Sequence, residues 1–182
     1  MLRDLPPRVL FVDPGTSKGH GIAEYRDGGL VECGLVKANV LPRQVQHAVV
    51  EMPAEAFGGT VNTIVNLARA AERAVARYVI DDAATYIHPS GTHAWKRGSK
   101  AQHQYNAWHA LGGAEQSLIA SFCRDTRLRG LASTEDILDK LQERCQREAR
   151  GPKPGEWVLG NVLDAVYMGL WAYGRIDEYG RR

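Results

Sequence analysis

Arg8-Val9-Leu10-Phe11-Val12-Asp13-Pro14-Gly15 is the stretch that decides the fold: a β-rich apolar run closes on an acid and is stopped by Pro-Gly. Such a run reads as a buried central strand. Next to it, His20 to Tyr25 and Leu30 to Val36 flank Asp27-Gly28-Gly29, whose composition predicts a tight hairpin turn between two antiparallel strands. His47-Ala48-Val49-Val50-Glu51 repeats the apolar run followed by an acid, with Pro53 ending it. From Thr60, the positions Val61, Ile64, Val65, Ala68, Ala71 and Val75 recur at helical spacing to about Val79, and Ala83 to Ile87 gives a fifth strand. Ser99 to Leu111 and Ala114 to Phe122 predict helices broken at Gly112-Gly113, as a turn or a C-cap. Ser133 with Asp136 predicts an N-cap for a helix striped by Ile137, Leu138, Leu141 and Cys145. After the stiff loop Gly151 to Gly155, Glu156 to Ile176 reads as a long terminal helix. This order predicts an α/β domain with a five-stranded mixed sheet flanked by helices.

The 182 residues suit one domain, 1–182, and 44% apolar with 24% charged residues is the balance of a globular chain. No window approaches the run of about 18 apolar residues that a membrane span needs, and the start Met1-Leu2-Arg3-Asp4 lacks a signal-peptide pattern. The expectation is a cytoplasmic protein without a membrane partner. Cys33, Cys123 and Cys145 are odd in number and share no C-x-x-C spacing, which points to ordinary thiols rather than disulfides or zinc.

A net charge of +2 says little, but its distribution says more. Between Asp82 and Glu115 there is no carboxylate, while Trp95, Lys96, Arg97, Lys100, four histidines (His88, His93, His103, His109), Tyr86, Tyr105 and Trp108 all fall there. Basic groups interleaved with aromatics suit a phosphate backbone and unstacked bases, so Trp95, Lys96, Arg97 and Lys100 are candidate DNA contacts. A positively charged loop with core aromatics is the competing reading. Asp13 and Glu51 end two apolar strands, and Asp164 lies inside Val162-Leu163-Asp164-Ala165-Val166-Tyr167-Met168. A carboxylate in such surroundings needs a partner charge or a metal. Oxygen ligands without Cys or His at ligand spacing favour Mg²⁺, or Mn²⁺ in its place, over zinc.

Val12-Asp13-Pro14-Gly15-Thr16-Ser17, followed by Gly19 and Gly21-Ile22-Ala23, resembles the opening of the RuvC family of Holliday-junction resolvases, where D-P-G precedes a glycine-bearing second strand. Glu51 matches the second acid of that family in order and context. Tyr86-Ile87-His88-Pro89 with Trp95-Lys96 and Lys100 is similar to its strand, basic loop and helix, and Gly160-Asn161-Val162-Leu163-Asp164-Ala165 to its C-terminal acidic helix. The compactness of the chain is similar to that of phage-type members. The resemblance implies an RNase H-like fold, a homodimer, and cleavage of four-way or related branched DNA with two divalent ions. It makes Asp13 the bridge between the ions, Glu51 and Asp164 ligands to one each, and Lys96 and Lys100 neutralisers of phosphate charge, Lys100 within the catalytic set. At Asn161 the sequence departs from the family's second Asp or His. Its amide oxygen shares a helix face with Asp164 but supplies no charge, and Glu156 is the alternative donor.

Two rivals remain at this stage. Asp13-Pro14-Gly15-Thr16-Ser17 also resembles the phosphate loop of actin-like ATPases and sugar kinases, although 182 residues are few for two domains closing on a nucleotide. The other is a non-catalytic protein that binds structured DNA, against which three acids near phosphate would argue.

Overall fold

A computed structural model of the chain describes residues 2, 4–14, 19–36, 45, 47–52, 61–78, 84–87, 95–128, 130–147 and 156–182. Within these, β1 (Arg8–Asp13), β2 (His20–Arg26), β3 (Gly29–Val36), β4 (Ala48–Glu51) and β5 (Ala84–Ile87) form one open sheet in the order β3-β2-β1-β4-β5. β1, β2 and β3 run antiparallel in turn, whereas β4 and β5 lie parallel to β1 and to each other. The helices are α1 (Val61–Tyr78), α2 (Lys100–Trp108), α3 (Gly113–Asp125), α4 (Thr134–Gln146) and α5 (Glu156–Ala172). The molecule is thus α/β with a mixed five-stranded sheet, as its pattern of elements predicts. Among the described residues no helix is long and apolar enough to cross a membrane.

β1 is central and covered on both faces, which explains its unbroken apolar run. Alternation along the strand divides two cores. Val9 and Phe11 join Ala23, Tyr25, Val49 and Ile87 in the larger core against α2 to α5, while Leu10, Val12, Ile22, Ala48 and Val50 meet Ala71 of α1 on the other face. The same parity puts Asp13, Gly21 and Glu51 on the side of α5. Because β1 and β4 are parallel, Asp13 and Glu51 also reach the same end of the sheet.

The hairpin turns at Asp27 and Gly28, both left-handed with φ of 49° and 80°, the pair of conformations that a two-residue turn of matching twist requires. Two helix ends differ from the sequence-based expectation. Gly112 does not close α2 but caps the start of α3, where its N–H donates to the Glu115 carboxylate at 2.8 Å. α5 stops at Ala172 instead of Ile176 because Gly174, at φ 71°, takes the left-handed position after the last turn, and the Arg175 N–H turns back to the Leu170 carbonyl at 2.8 Å. The Ser133 cap forms as expected, with the Asp136 N–H donating to Ser133 Oγ and the Ser133 N–H to Asp136 Oδ2, both at 3.0 Å. The Gly151 to Gly155 loop lies outside the described residues.

Candidate active site

The cluster is assembled by one close approach. Gly21 pairs with Asp13 in the β1–β2 ladder, and a Cβ built on Gly21 would collide with the Asn161 carbonyl and the Val162 nitrogen of α5. Glycine therefore lets α5 lie directly on β2 at the level of Asp13. Asp164, one turn beyond Asn161, then falls beside the ends of β1 and β4, and it is buried. Asn161 itself is half-buried, with its main chain pressed on Gly21.

Two cations come from the other side. Ser99 caps α2 by accepting from the Gln102 N–H at 3.3 Å, which fixes Lys100 in the first turn and Gln104 one turn later on the same face. Lys100 Nζ lies 2.5 Å from Asp164 Oδ2, and Lys96 Nζ lies 3.2 Å from the same oxygen and 3.6 Å from Glu51 Oε2. A lysine in the first turn of a helix opposes the helix dipole, and α2 has no acid there; Asp164 from α5 supplies the missing anion. Lys96 also stands over the Trp95 ring, 4.5 Å from its centroid.

Gln104 completes the enclosure. Its Nε2 donates to Asp164 Oδ1 at 2.6 Å and to the Gly160 carbonyl at 3.2 Å, while its Oε1 accepts from Arg144 Nη1 of α4 at 2.7 Å. Arg144 thereby fixes which end of the amide faces Asp164. Sequence reasoning missed Gln104, since a neutral amide inside a helix carries little signal; its place four residues after Lys100 is the clue that was there.

The charged groups divide sharply. Burial, reinforced by the Glu51 and Asp164 charges, pushes the Asp13 carboxyl up to about 8 despite Lys100 and Lys96. Glu51 is also raised, again chiefly by burial, with Lys96 opposing and Asp164 adding to it. Burial acts in the same sense on Asp164, but Lys100, Lys96 and the hydrogen bond from Gln104 outweigh it and hold this carboxyl well below the usual range. Lys96 is desolvated, yet the surrounding carboxylates keep it more firmly protonated than a free lysine.

Of the expected DNA contacts, Lys100 and Arg97 are exposed and Lys96 is half-buried. Trp95 is a correction: its side chain is fully buried and meets the His103 ring edge-on at 5.5 Å, so it offers no face for base stacking. Trp108 and His103 are buried as well. Trp95, Trp108 and His103 thus pack the core, whereas Tyr86 is exposed. His88 and His93 lie outside the described residues, as does the Gly15 to Ser17 part of the D-P-G opening; the Glu156 side chain is likewise not described.

A hard divalent cation fits part of this donor set. Glu51 Oε2 is buried and accepts no hydrogen bond, and the raised Asp13 carboxyl marks negative charge that the lysines leave unbalanced. Asp164 is different, because both its oxygens already receive donors. Among the described residues no three or more His, Cys, Asp or Glu side chains are arranged to hold a metal together. Comparison with protein-family models, with curated proteins and with solved structures finds no match to this chain.

Proposed function

We propose that the chain is a metal-dependent, structure-selective DNA endonuclease with an RNase H-like fold, a RuvC-type resolvase acting on four-way junctions or related branched DNA as a homodimer. The observation that carries this reading is the meeting of Asp13, Glu51 and Asp164, from β1, β4 and α5, with Lys96 and Lys100 at the carboxyl ends of the parallel strands. Open α/β sheets bind ligands at that end. Acids and lysines in one place suit a phosphodiester: the acids hold a hard cation, and the ammonium groups face the anionic substrate.

Asp13 and Glu51 would hold Mg²⁺ or Mn²⁺, which at such a site supplies Lewis-acid polarisation of a phosphate oxygen and a lowered pKa for water. Hydrolysis forms a bond from a water oxygen to phosphorus and breaks the bond from phosphorus to the 3′ oxygen. A water proton ends on that oxygen, leaving 5′-phosphate and 3′-hydroxyl ends. The exposed Lys100 ammonium is placed to meet the phosphate, with Lys96 behind it, and Asp164 orients both. Gln104 and Arg144 keep Asp164 from rotating.

The test is cleavage of junction, flap and plain duplex DNA with and without Mg²⁺, by the wild type and by Asp13→Asn and Glu51→Gln. We expect junction cutting that needs Mg²⁺ and falls at least a hundredfold in both variants, while circular dichroism and gel-shift binding persist. Binding without any cutting would favour the non-catalytic structured-DNA reading, and near-wild-type cutting by both variants would remove the active-site assignment.

A further inference from the structure

Both Asp164 oxygens already have partners, and Oδ2 has two cations. Oδ2 is shared by two ammonium groups at 2.5 and 3.2 Å, and Oδ1 takes the Gln104 amide at 2.6 Å. A Mg²⁺ ion bound to this carboxylate would sit about 2.1 Å from an oxygen. It would meet Lys100 and Lys96 at close range, where like charges in a poorly solvated place repel strongly. We infer that Lys96 and Lys100 supply at Asp164 the positive charge that a second divalent ion would bring, so that this chain takes one divalent ion, at Asp13 and Glu51. The inference rests on the metal-dependent reading above and departs from the two ions that the family resemblance implies.

Four further observations converge on it. Glu51 Oε2 is buried and meets only the looser ion pair with Lys96 at 3.6 Å among the described residues, against 2.5 and 3.2 Å at Asp164, so Glu51 is the carboxylate less committed to the lysines. One or two carboxylates with retained water is the usual complement for Mg²⁺, so Asp13 and Glu51 suffice for one ion. Asn161, on the same helix as Asp164, adds no anion to support a second ion. The charges also balance: three carboxylates against two ammonium groups leave one negative charge, which one divalent ion and one bridging phosphodiester bring to zero. A second divalent ion would leave an excess of two positive charges.

Gln104 shows that the arrangement is built in. Arg144 donates to its Oε1, which obliges Nε2 to face Asp164 Oδ1 and holds the carboxylate with Oδ2 turned to the two ammonium groups.

The measurement is the number of Mn²⁺ ions bound per chain, by electron paramagnetic resonance titration of the full-length protein at pH 8 with Mn²⁺ alone and no DNA. We expect one ion in the wild type and one in Asp164→Asn, binding at least tenfold weaker in Glu51→Gln, and two ions in Lys100→Met, where Asp164 Oδ2 loses its nearest ammonium. Two ions in the wild type, or loss of the ion in Asp164→Asn, would overturn the inference and leave the nuclease reading standing. No ion in the wild type would overturn the metal-dependent reading itself, and the inference with it.

Discussion

Two ionic clusters in this molecule use the same chemistry to opposite ends. At the far end of α5, Arg175 grips Glu115 with both arms, at 2.7 and 2.6 Å, and spends its remaining donors on the Gly28 and Ala110 carbonyls at 3.2 and 3.0 Å. Glu115 also accepts from the Leu30 and Gly112 N–H groups at 3.0 and 2.8 Å. Burial alone would raise Glu115, but Arg175 and the two backbone donors overcome it and the carboxyl is lowered. One fork of hydrogen bonds thus ties the β2–β3 hairpin, the corner before α3 and the end of α5 together. At Asp13 and Glu51 the lysines act too loosely to offset burial and the neighbouring carboxylates, and the acids rise. A buried carboxylate whose every lone pair is met is a fastener; one left short of donors is held ready for a ligand.

The largest expected effect breaks the fastener. Arg175→Met should lower stability by about 2 kcal/mol, since it leaves the half-buried Glu115 carboxylate and two carbonyls without their shared donor, and urea unfolding monitored by circular dichroism measures it. A loss under about 1 kcal/mol would mean that solvent replaces the guanidinium.

The opposite sign is expected at the other cluster. With the Asp13 carboxyl near 8 in the native chain and about 3.9 when unfolded, the native state keeps a proton over that window that the unfolded state has released. Stability contributed by this group therefore falls as pH rises from about 4 to 8, and the whole penalty is present above 8. Asp13→Asn has nothing to titrate, so in metal-free buffer its stability relative to the wild type should be clearly higher at pH 9 than at pH 4. Urea denaturation at both pH values is the check, and a pH-independent gap would show that Asp13 does not titrate in this range.

The smallest effect belongs to an ion-pair set along α4 whose carboxylate is exposed. Glu143 on α4 is exposed enough for solvent to screen its pairs with Lys140 and Arg147, at 2.7 and 3.0 Å. Glu143→Gln should change stability by less than about 0.5 kcal/mol at 0.15 M salt, measured in the same urea series. A larger loss would mean that position along a helix matters as much as burial.

Much of this contrast was legible in the sequence, but unevenly. Asp13 and Glu51 could be read because an apolar run ending in an acid announces a strand end, and period-two alternation then fixes their common face. Asp164 stood out as an acid within an apolar helix. The grip of Lys96 and Lys100 on Asp164 could not be read, because it depends on how a loop and helix near residue 100 dock against a helix more than sixty residues later. Trp95 was misplaced for a related reason: composition shows that aromatics and cations share a segment, but not which of them turn inward. The Arg175–Glu115 fork was invisible because both residues look like ordinary helix-end charges until the chain folds.

Gly21 has a counterpart further along α5. A Cβ on Gly169 would strike the Tyr25 ring, and the Tyr25 hydroxyl donates to the Val166 carbonyl at 2.6 Å between the two points. From Gly21 to Tyr25 is four strand residues, about 13 Å at 3.3 Å each. From Asn161 to Gly169 is eight helix residues, about 12 Å at 1.5 Å each. The two spans agree, so strand and helix mesh like racks cut to one pitch, with Asp164 carried between the teeth. Neither rack can gain or lose a residue between its notches without slipping against the other. The interval 161–169 is thereby a fixed gauge that sets how far Asp164 stands from the end of β1.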